Sequence, residues 1–228
     1  MPGLDDPRTL LAAWERAAHA RPAARGAALL PASPEESLAE TAAQAATAYV
    51  AAFGPRAAAL LTCPACAKTL EIVVDVAALA GEDLPPDAAT VPTARSTLTV
   101  RPLTTSDLLA VQGARDPVTA LAGRAVRDAH GNAVDPTVLS EADMAAVDAA
   151  SMALAGIAAA TVTTVCPACG ERVSRPVDVA ALLWEQVRSR AAALMDQVAT
   201  LARAFGWTEA EVLSLPAARR AVYLEMVG

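Results

Sequence analysis

Histidine and aromatic side chains are scarce in this chain, and so is positive charge. The two histidines, His19 and His130, are all that 228 residues hold. They lie too far apart in sequence to suggest a Ser-His-Asp relay, and each reads as a surface residue, one on a helix and one in a turn. Aromatics make up only 3% of the chain, although 54% of it is hydrophobic. The apolar content is therefore mostly small, and suits close packing of helices. The formal net charge of −7 and the pI of about 4.9 argue against a general nucleic-acid binder, which needs a cationic surface to displace counterions. No glycine-rich phosphate loop is present. The acidic pairs Asp5-Asp6, Glu35-Glu36 and Glu82-Asp83 fall near loops or helix starts, where they serve solubility and the helix dipole rather than paired acid catalysis. The opening Met-Pro-Gly-Leu-Asp-Asp-Pro has no basic and apolar leader pattern, which implies a cytoplasmic chain. The least charged stretch, 149–170, reads as buried helix and strand rather than a membrane span.

Cysteine is used four times only, and in a pattern. Cys63-Pro64-Ala65-Cys66 returns as Cys166-Pro167-Ala168-Cys169, 103 residues later. The same offset carries Val74-Asp75-Val76-Ala77-Ala78-Leu79 onto Val177-Asp178-Val179-Ala180-Ala181-Leu182. The repeated unit is a knuckle, a short strand and a helix start capped by Asp. A Cys-Pro-x-Cys turn between strands aims both sulfurs at one point, with backbone N–H groups close to the thiolates. Gly170 after the second pair supplies a positive-φ position; Ala67 stands at the equivalent place in the first. Two facing knuckles give four thiolates, the closed ligand set of a structural zinc ion with Zn–S near 2.3 Å. The predicted ligands are Cys63, Cys66, Cys166 and Cys169. A reducing compartment favours metal over disulfide. A thioredoxin-like redox pair would need an exposed cysteine at a helix N-terminus, whereas strands flank both pairs. The 100-residue interval between Cys66 and Cys166 requires an inserted layer that brings the second hairpin back.

The rest of the chain reads as helices around that core. Leu10, Leu11 and Trp14 fall at helical spacing. A second helix is predicted over 35–53, stopped by Gly54-Pro55. Segment 82–93, with Pro85, Pro86 and Pro92, reads as a loop; 97–100 reads as a strand, and Thr104 to Asp107 as a helix start. Ser140 caps a further helix. Leu183, Val187, Ala191, Leu194, Val198, Leu201 and Phe205 form the stripe of a long amphipathic helix closed by Gly206. Thr208 and Glu211 make a capping-box pattern, and Pro216 opens a last helix with Arg219 and Arg220 on its polar face. The expected fold is α+β and mostly helical: one domain over 1–228, with N-terminal helices in 1–55, a duplicated knuckle core with a helical insertion in 56–178, and C-terminal helices in 179–228. The two knuckle hairpins would form one split zinc-ribbon-like core related by a pseudo-two-fold axis.

The stretch 201–227 carries Gly206-Trp207-Thr208-x-x-Glu211 followed by Arg219-Arg220-x-x-Tyr223-Leu224. With the opening Leu10-Leu-Ala-Ala-Trp-Glu-Arg16, the helix start Leu103-Thr-Thr-Ser-Asp-Leu108 and both knuckles in the same order, it resembles the T4-like phage baseplate hub or hub-assembly proteins, also encoded with contractile phage-tail-like injection systems. The resemblance spans nearly the whole chain. It implies a non-enzymatic structural or chaperone-like role in baseplate assembly, with other baseplate or tail proteins as partners, and no nucleic acid or membrane. It carries no catalytic residues. Trp207, Arg219, Arg220 and Tyr223 are the candidate partner surface. The alternatives are a zinc-ribbon nucleic-acid-binding adaptor, for which only Lys68, Arg172 and Arg175 lie near the knuckles, and a metal-dependent enzyme.

Overall fold

The computed structural model describes residues 3–30, 32–93 and 96–227; Met1-Pro2 of the opening motif lies outside them. The chain begins with α1 (Pro7–Ala18), α2 (Arg25–Leu29) and α3 (Leu38–Phe53). Asp6 caps α1 by accepting the Thr9 amide at 2.8 Å. The start of α3 falls three residues after the predicted one. Ser37 and Glu40 form a reciprocal capping box, in which each side chain accepts the other's backbone N–H, and which leaves Glu35 and Glu36 outside the helix.

The first hairpin follows, β1 (Arg56–Thr62) against β2 (Thr69–Asp75), and leads into the short helix α4 (Val76–Ala80). Along β2, Leu70, Ile72 and Val74 point inward while Thr69, Glu71 and Val73 point outward, as a two-residue period dictates. The second hairpin, over residues 161–176, is a separate two-stranded sheet. Between the hairpins lie β3 (Ala89–Pro92), β4 (Thr97–Val100), α5 (Thr105–Ala110), α6 (Pro117–Ala125), β5 (Val126–Arg127) and α7 (Glu141–Ala155). The strand β3 corrects the reading of 82–93 as loop: Ala89 to Pro92 pair antiparallel with β4, which also pairs with β5. The insertion is thus helical with a three-stranded sheet. After it come β6 (Thr161–Val165) and β7 (Arg172–Pro176), then α8 (Val179–Phe205), α9 (Glu209–Ser214) and α10 (Ala217–Val227). The architecture is mixed α+β and mostly helical.

Two apolar cores result. The larger gathers Leu10, Tyr49, Val74, Leu183, Val187 and Leu194 from α1, α3, the first hairpin and α8. The smaller belongs to the insertion, with Leu98, Val100, Val126, Val147 and Leu154. The insertion is tied to the α3 entry by backbone bonds, Leu38 N–H to the Leu103 carbonyl at 2.8 Å and Ser106 N–H to the Pro34 carbonyl at 3.0 Å. The Ser106 hydroxyl also bonds the Glu35 carboxylate.

An ionic knot holds the insertion together. The carboxylate of Asp107 is 1% exposed and meets Arg101 through two N–H···O bonds of 2.7 and 2.9 Å, and the Arg124 Nε at 2.7 Å. It also accepts the Thr104 amide at 3.0 Å, so one carboxylate joins the end of β4, the start of α5 and the end of α6. Burial pushes this carboxyl up; the Arg101 guanidinium, the Thr104 amide and Arg124 outweigh it and hold the group far below the usual carboxylate range. Sequence reading finds the Thr104/Asp107 cap but neither arginine.

The predicted burial of 149–170 is corrected. Within 149–170 only Leu154, Ile157 and Cys166 are buried, and of the overlapping segment Glu141–Ala159, which contains helix α7 and has the length and apolar composition of a membrane span, only 17% of the most apolar stretch is buried. Val147 and Leu154 insert into the insertion core and Ile157 into the larger one, while Met152 is 55% exposed. Alanine reads as apolar in sequence, but one row of large side chains suffices to seat this helix, and the remaining faces stay at the surface.

The candidate tetracysteine metal centre

The two hairpins are copies of each other down to their hydrogen bonds. Thr62 opposes Thr69 in the first and Val165 opposes Arg172 in the second, the same register displaced by the repeat offset. The Cys63 amide donates to the Lys68 carbonyl at 2.9 Å, and the Cys166 amide to the Glu171 carbonyl at 2.8 Å. The Ala67 amide closes back on the Cys63 carbonyl at 2.9 Å; Gly170 does so on Cys166 at 2.8 Å. Each second strand ends in the expected cap, Asp75 accepting the Ala78 amide at 3.0 Å and Asp178 the Ala181 amide at 2.9 Å. The sulfurs then pair crosswise. Cys63 lies 3.7 Å from Cys169, and Cys66 lies 3.7 Å from Cys166. A two-fold operation exchanges those two pairs, so their equal spacing is what a pseudo-two-fold axis through the centre requires.

All four sulfurs lie within 4.8 Å of one another. In a regular tetrahedron with metal–sulfur bonds near 2.3 Å, each S···S edge is about 3.8 Å. The cluster fits one tetrahedrally bound ion, and the four cysteines are the only such group among the described residues. Cys63 and Cys166 are 1% exposed, and with Leu70 and Val173 they form a small apolar cluster of their own. Cys66 and Cys169 lie at the surface. Isolated two-stranded hairpins are marginal in water, and four buried side chains give this tip little packing of its own.

The electrostatics favour a cation between the thiols. Amides of Ala168 and then Cys169 donate to the Cys166 sulfur and bring that thiol down to about 7. At Cys169 the Glu171 amide favours the thiolate, but the adjoining sulfurs of Cys66, Cys166 and Cys63 and burial push it up to about 12. Like charges this close resist full ionisation. A bound divalent ion removes that conflict, because metal ligation requires the thiolate form.

Ala67 is the one non-glycine residue with positive φ, 57°, among the described residues; Gly170 has φ 75°. An L-residue in this region costs about 1–2 kcal/mol, part of which glycine returns as unfolded-chain entropy. Ala67→Gly is therefore expected to stabilise the protein by about 0.5–1 kcal/mol, read as a rise in Tm of roughly 2 °C. Nothing lies within 4 Å of a Cβ built at Gly170, so Gly170→Ala should lose a similar amount through the backbone alone. Equal melting of both variants and wild type would remove the strain argument.

The predicted partner residues have different fates. Trp207 and Tyr223 are half-buried and meet edge to face, with ring centroids 4.9 Å apart; Phe205 stacks on Trp207 at 4.7 Å. Three of the chain's seven aromatic rings thus form one cluster at the turn after α8. Phe205 is 39% exposed and so leaves the buried stripe predicted for that helix, while Val222 and Met226 are 50% and 70% exposed. Arg219 is exposed, but Arg220 is 5% exposed, which corrects its placement on a polar face. Its guanidinium donates to the Leu215 carbonyl at 2.7 Å and to the Gln197 side-chain oxygen at 3.3 Å, so it clamps the end of α9 to α8.

No protein family, curated protein or solved structure matches this chain.

Proposed function

We propose that the chain is a non-enzymatic assembly or structural protein of a contractile-tail baseplate, stapled by one zinc ion on Cys63, Cys66, Cys166 and Cys169. The observation that carries the zinc half is the crosswise 3.7 Å spacing of four sulfurs supplied by two copies of one unit. Four sulfurs fill a tetrahedral shell, and no histidine or carboxylate joins them among the described residues. A centre of that kind favours a structural role, because a catalytic zinc keeps a position for water or substrate. Zinc fits the reading best: it takes this ligand set without redox chemistry.

The baseplate half rests on the ordered resemblance of 10–16, 103–108, the knuckles and 201–227. It is supported by the apolar patch of Phe205, Val222 and Met226 beside the Trp207–Tyr223 pair, bordered by exposed Arg219. Apolar centres with charged rims are typical of partner sites. Against the nucleic-acid adaptor, Glu71 and Glu171 share the knuckle surface with Lys68, Arg172 and Arg175. Against a membrane role, Asp148 sits at the middle of α7, and Val147, Leu154 and Ile157 of the apolar segment pack into the protein's own cores.

Co-purification with the products of the neighbouring genes tests the assembly role. Truncation after Gly206 is unsuitable, because it removes Val212 and Leu213 from the interior. Val222→Glu combined with Met226→Glu alters only exposed positions. The double variant should fold and keep its metal but lose sheath, tube or spike proteins that the wild type retains. Undiminished retention would defeat the docking surface, and salt-sensitive capture of DNA or RNA by the wild type would favour the adaptor.

A further inference from the structure

A cavity of about 450 Å³ opens between the start of α1, the long helix α8 and the α9–α10 turn. Arg190 and Arg220 both line it. Arg220 is 95% buried by the complement of its 5% exposure, yet among the described residues no carboxylate lies within ion-pair distance of either arginine. Two acceptors, the Leu215 carbonyl and the Gln197 side chain, engage only the Nη1 and Nε of Arg220. A guanidinium carries five N–H donors, so its Nη2 and one Nη1 hydrogen have no protein acceptor. Arg190 makes no hydrogen bond among the described residues. Burial, and after it the charge on Arg190, push the Arg220 pKa down.

Arg220 thus has two neutral acceptors and no counter-ion among the described residues, and the exposed Arg190 adds a second cation at the rim of the same cavity, an arrangement that favours an incoming anion. In a chain of net charge −7 the arrangement is against the prevailing sign. The first turn of α10, at Ala217, also borders the cavity and adds the positive end of an 11-residue helix. Two acids are on the wall. Asp6 is occupied by the Thr9 amide and hydroxyl, both at 2.8 Å, and Asp5 is exposed and bonds neither arginine. With those acids present, the site suits a single negative charge better than a phosphate dianion, and a guanidinium fork matches a carboxylate in two parallel bonds.

We propose that this cavity is a carboxylate socket, filled by an Asp, Glu or C-terminal carboxylate of the protein partner. The source of the carboxylate rests on the assembly role proposed above; the socket itself does not. On α10 the cavity residues Ala217, Arg220, Ala221 and Leu224 face away from Val222 and Met226, so the buried charge pair would be a contact separate from the apolar patch. Such a pairing gives register as well as affinity, because a desolvated arginine rejects partners that leave it unpaired.

The test uses the whole metal-loaded chain and the monocarboxylate sodium butyrate as probe, at ionic strength held constant with chloride. Amide and Arg220 Nε resonances are followed by NMR. Saturable shifts are expected at Arg220, Gln197 and Leu215. Arg190→Gln, at an exposed position that does not threaten folding, should weaken butyrate at least tenfold, and Arg220→Lys should weaken it further while keeping the charge. Absence of saturation, or equal affinity in Arg190→Gln, would overturn the socket. Co-purifying partners that stay bound to Arg190→Gln, after butyrate binding is lost, would overturn the partner as the source, leaving the apolar docking surface to be judged by its own double variant.

Discussion

Cys166→Ser is expected to remove most of the global stability of the protein and to abolish metal binding. Structural zinc sites contribute on the order of 10 kcal/mol of binding free energy, and that energy is folding energy when no site exists in the unfolded chain. Whole domains are stable by only about 5–15 kcal/mol. Cys166 is the right position to change, since its sulfur is buried and receives amide N–H groups from its own knuckle. A serine hydroxyl is not a thiolate and cannot complete the shell. Tm should fall by roughly 20 °C or more, and the apolar faces of both hairpins should become accessible to a hydrophobic dye. Wild type stripped with a chelator should behave the same way. Metal analysis of the untreated wild type should return one zinc per chain, with no visible absorbance. Wild type without bound metal, or a mutant that melts beside it, would reject the staple.

The second large effect belongs to Asp107. Asp107→Asn leaves two arginines and the Thr104 amide around a neutral side chain. Breaking a buried charge pair costs about 3–5 kcal/mol; here Arg101 and Arg124 keep 35% and 42% side-chain exposure, so water recovers part of it and about 3 kcal/mol is expected. That corresponds to a Tm lower by roughly 10 °C. The pH dependence has a definite sign. The folded pKa lies below the unfolded one, so this contribution is fully present above about pH 4 and is lost as pH falls below it toward the folded value. Wild type should therefore lose stability steeply on acidification below about pH 4, while Asp107→Asn loses less over the same range. The capping carboxylates Asp6, Glu40 and Glu211 are also held below their usual range, chiefly by backbone N–H groups, and contribute to both proteins alike. Parallel acid profiles for the two proteins would mean that the knot adds nothing to stability.

What could be read from the sequence was whatever is written locally or twice. The cysteine units, the Asp75 and Asp178 caps and the stops at Gly54 and Gly206 depend on neighbours within a few residues, and the duplication checks the cysteine units and their caps against each other. The stripe of α8 was legible because seven turns repeat the same signal. Strand β3 was not, since four residues among prolines give no period to detect. The Asp107 knot joins residues 6 and 17 apart in sequence through tertiary contact alone. Arg220 beside Arg219 looks like a solvated pair, and only the fold turns one inward. Alanine misled in the opposite direction at α7, because its hydropathy says nothing about whether a neighbour is large enough to cover it.

The crosswise sulfur pairing also sets the order in which the protein can be completed. Each crosswise sulfur pair joins two knuckles made at different times: Cys66 precedes Cys166 by 100 residues. At synthesis rates of ~5–20 residues per second, the first half-site waits roughly 5–20 s on the ribosome before the second exists. During that interval its two thiols are open to any soft metal or oxidant. The wait ends only when the intervening segment has emerged, and every folded stretch of it shortens the span that must be closed. A core within the insertion, independent of the cysteines, can form first and bring the late half-site back to the early one.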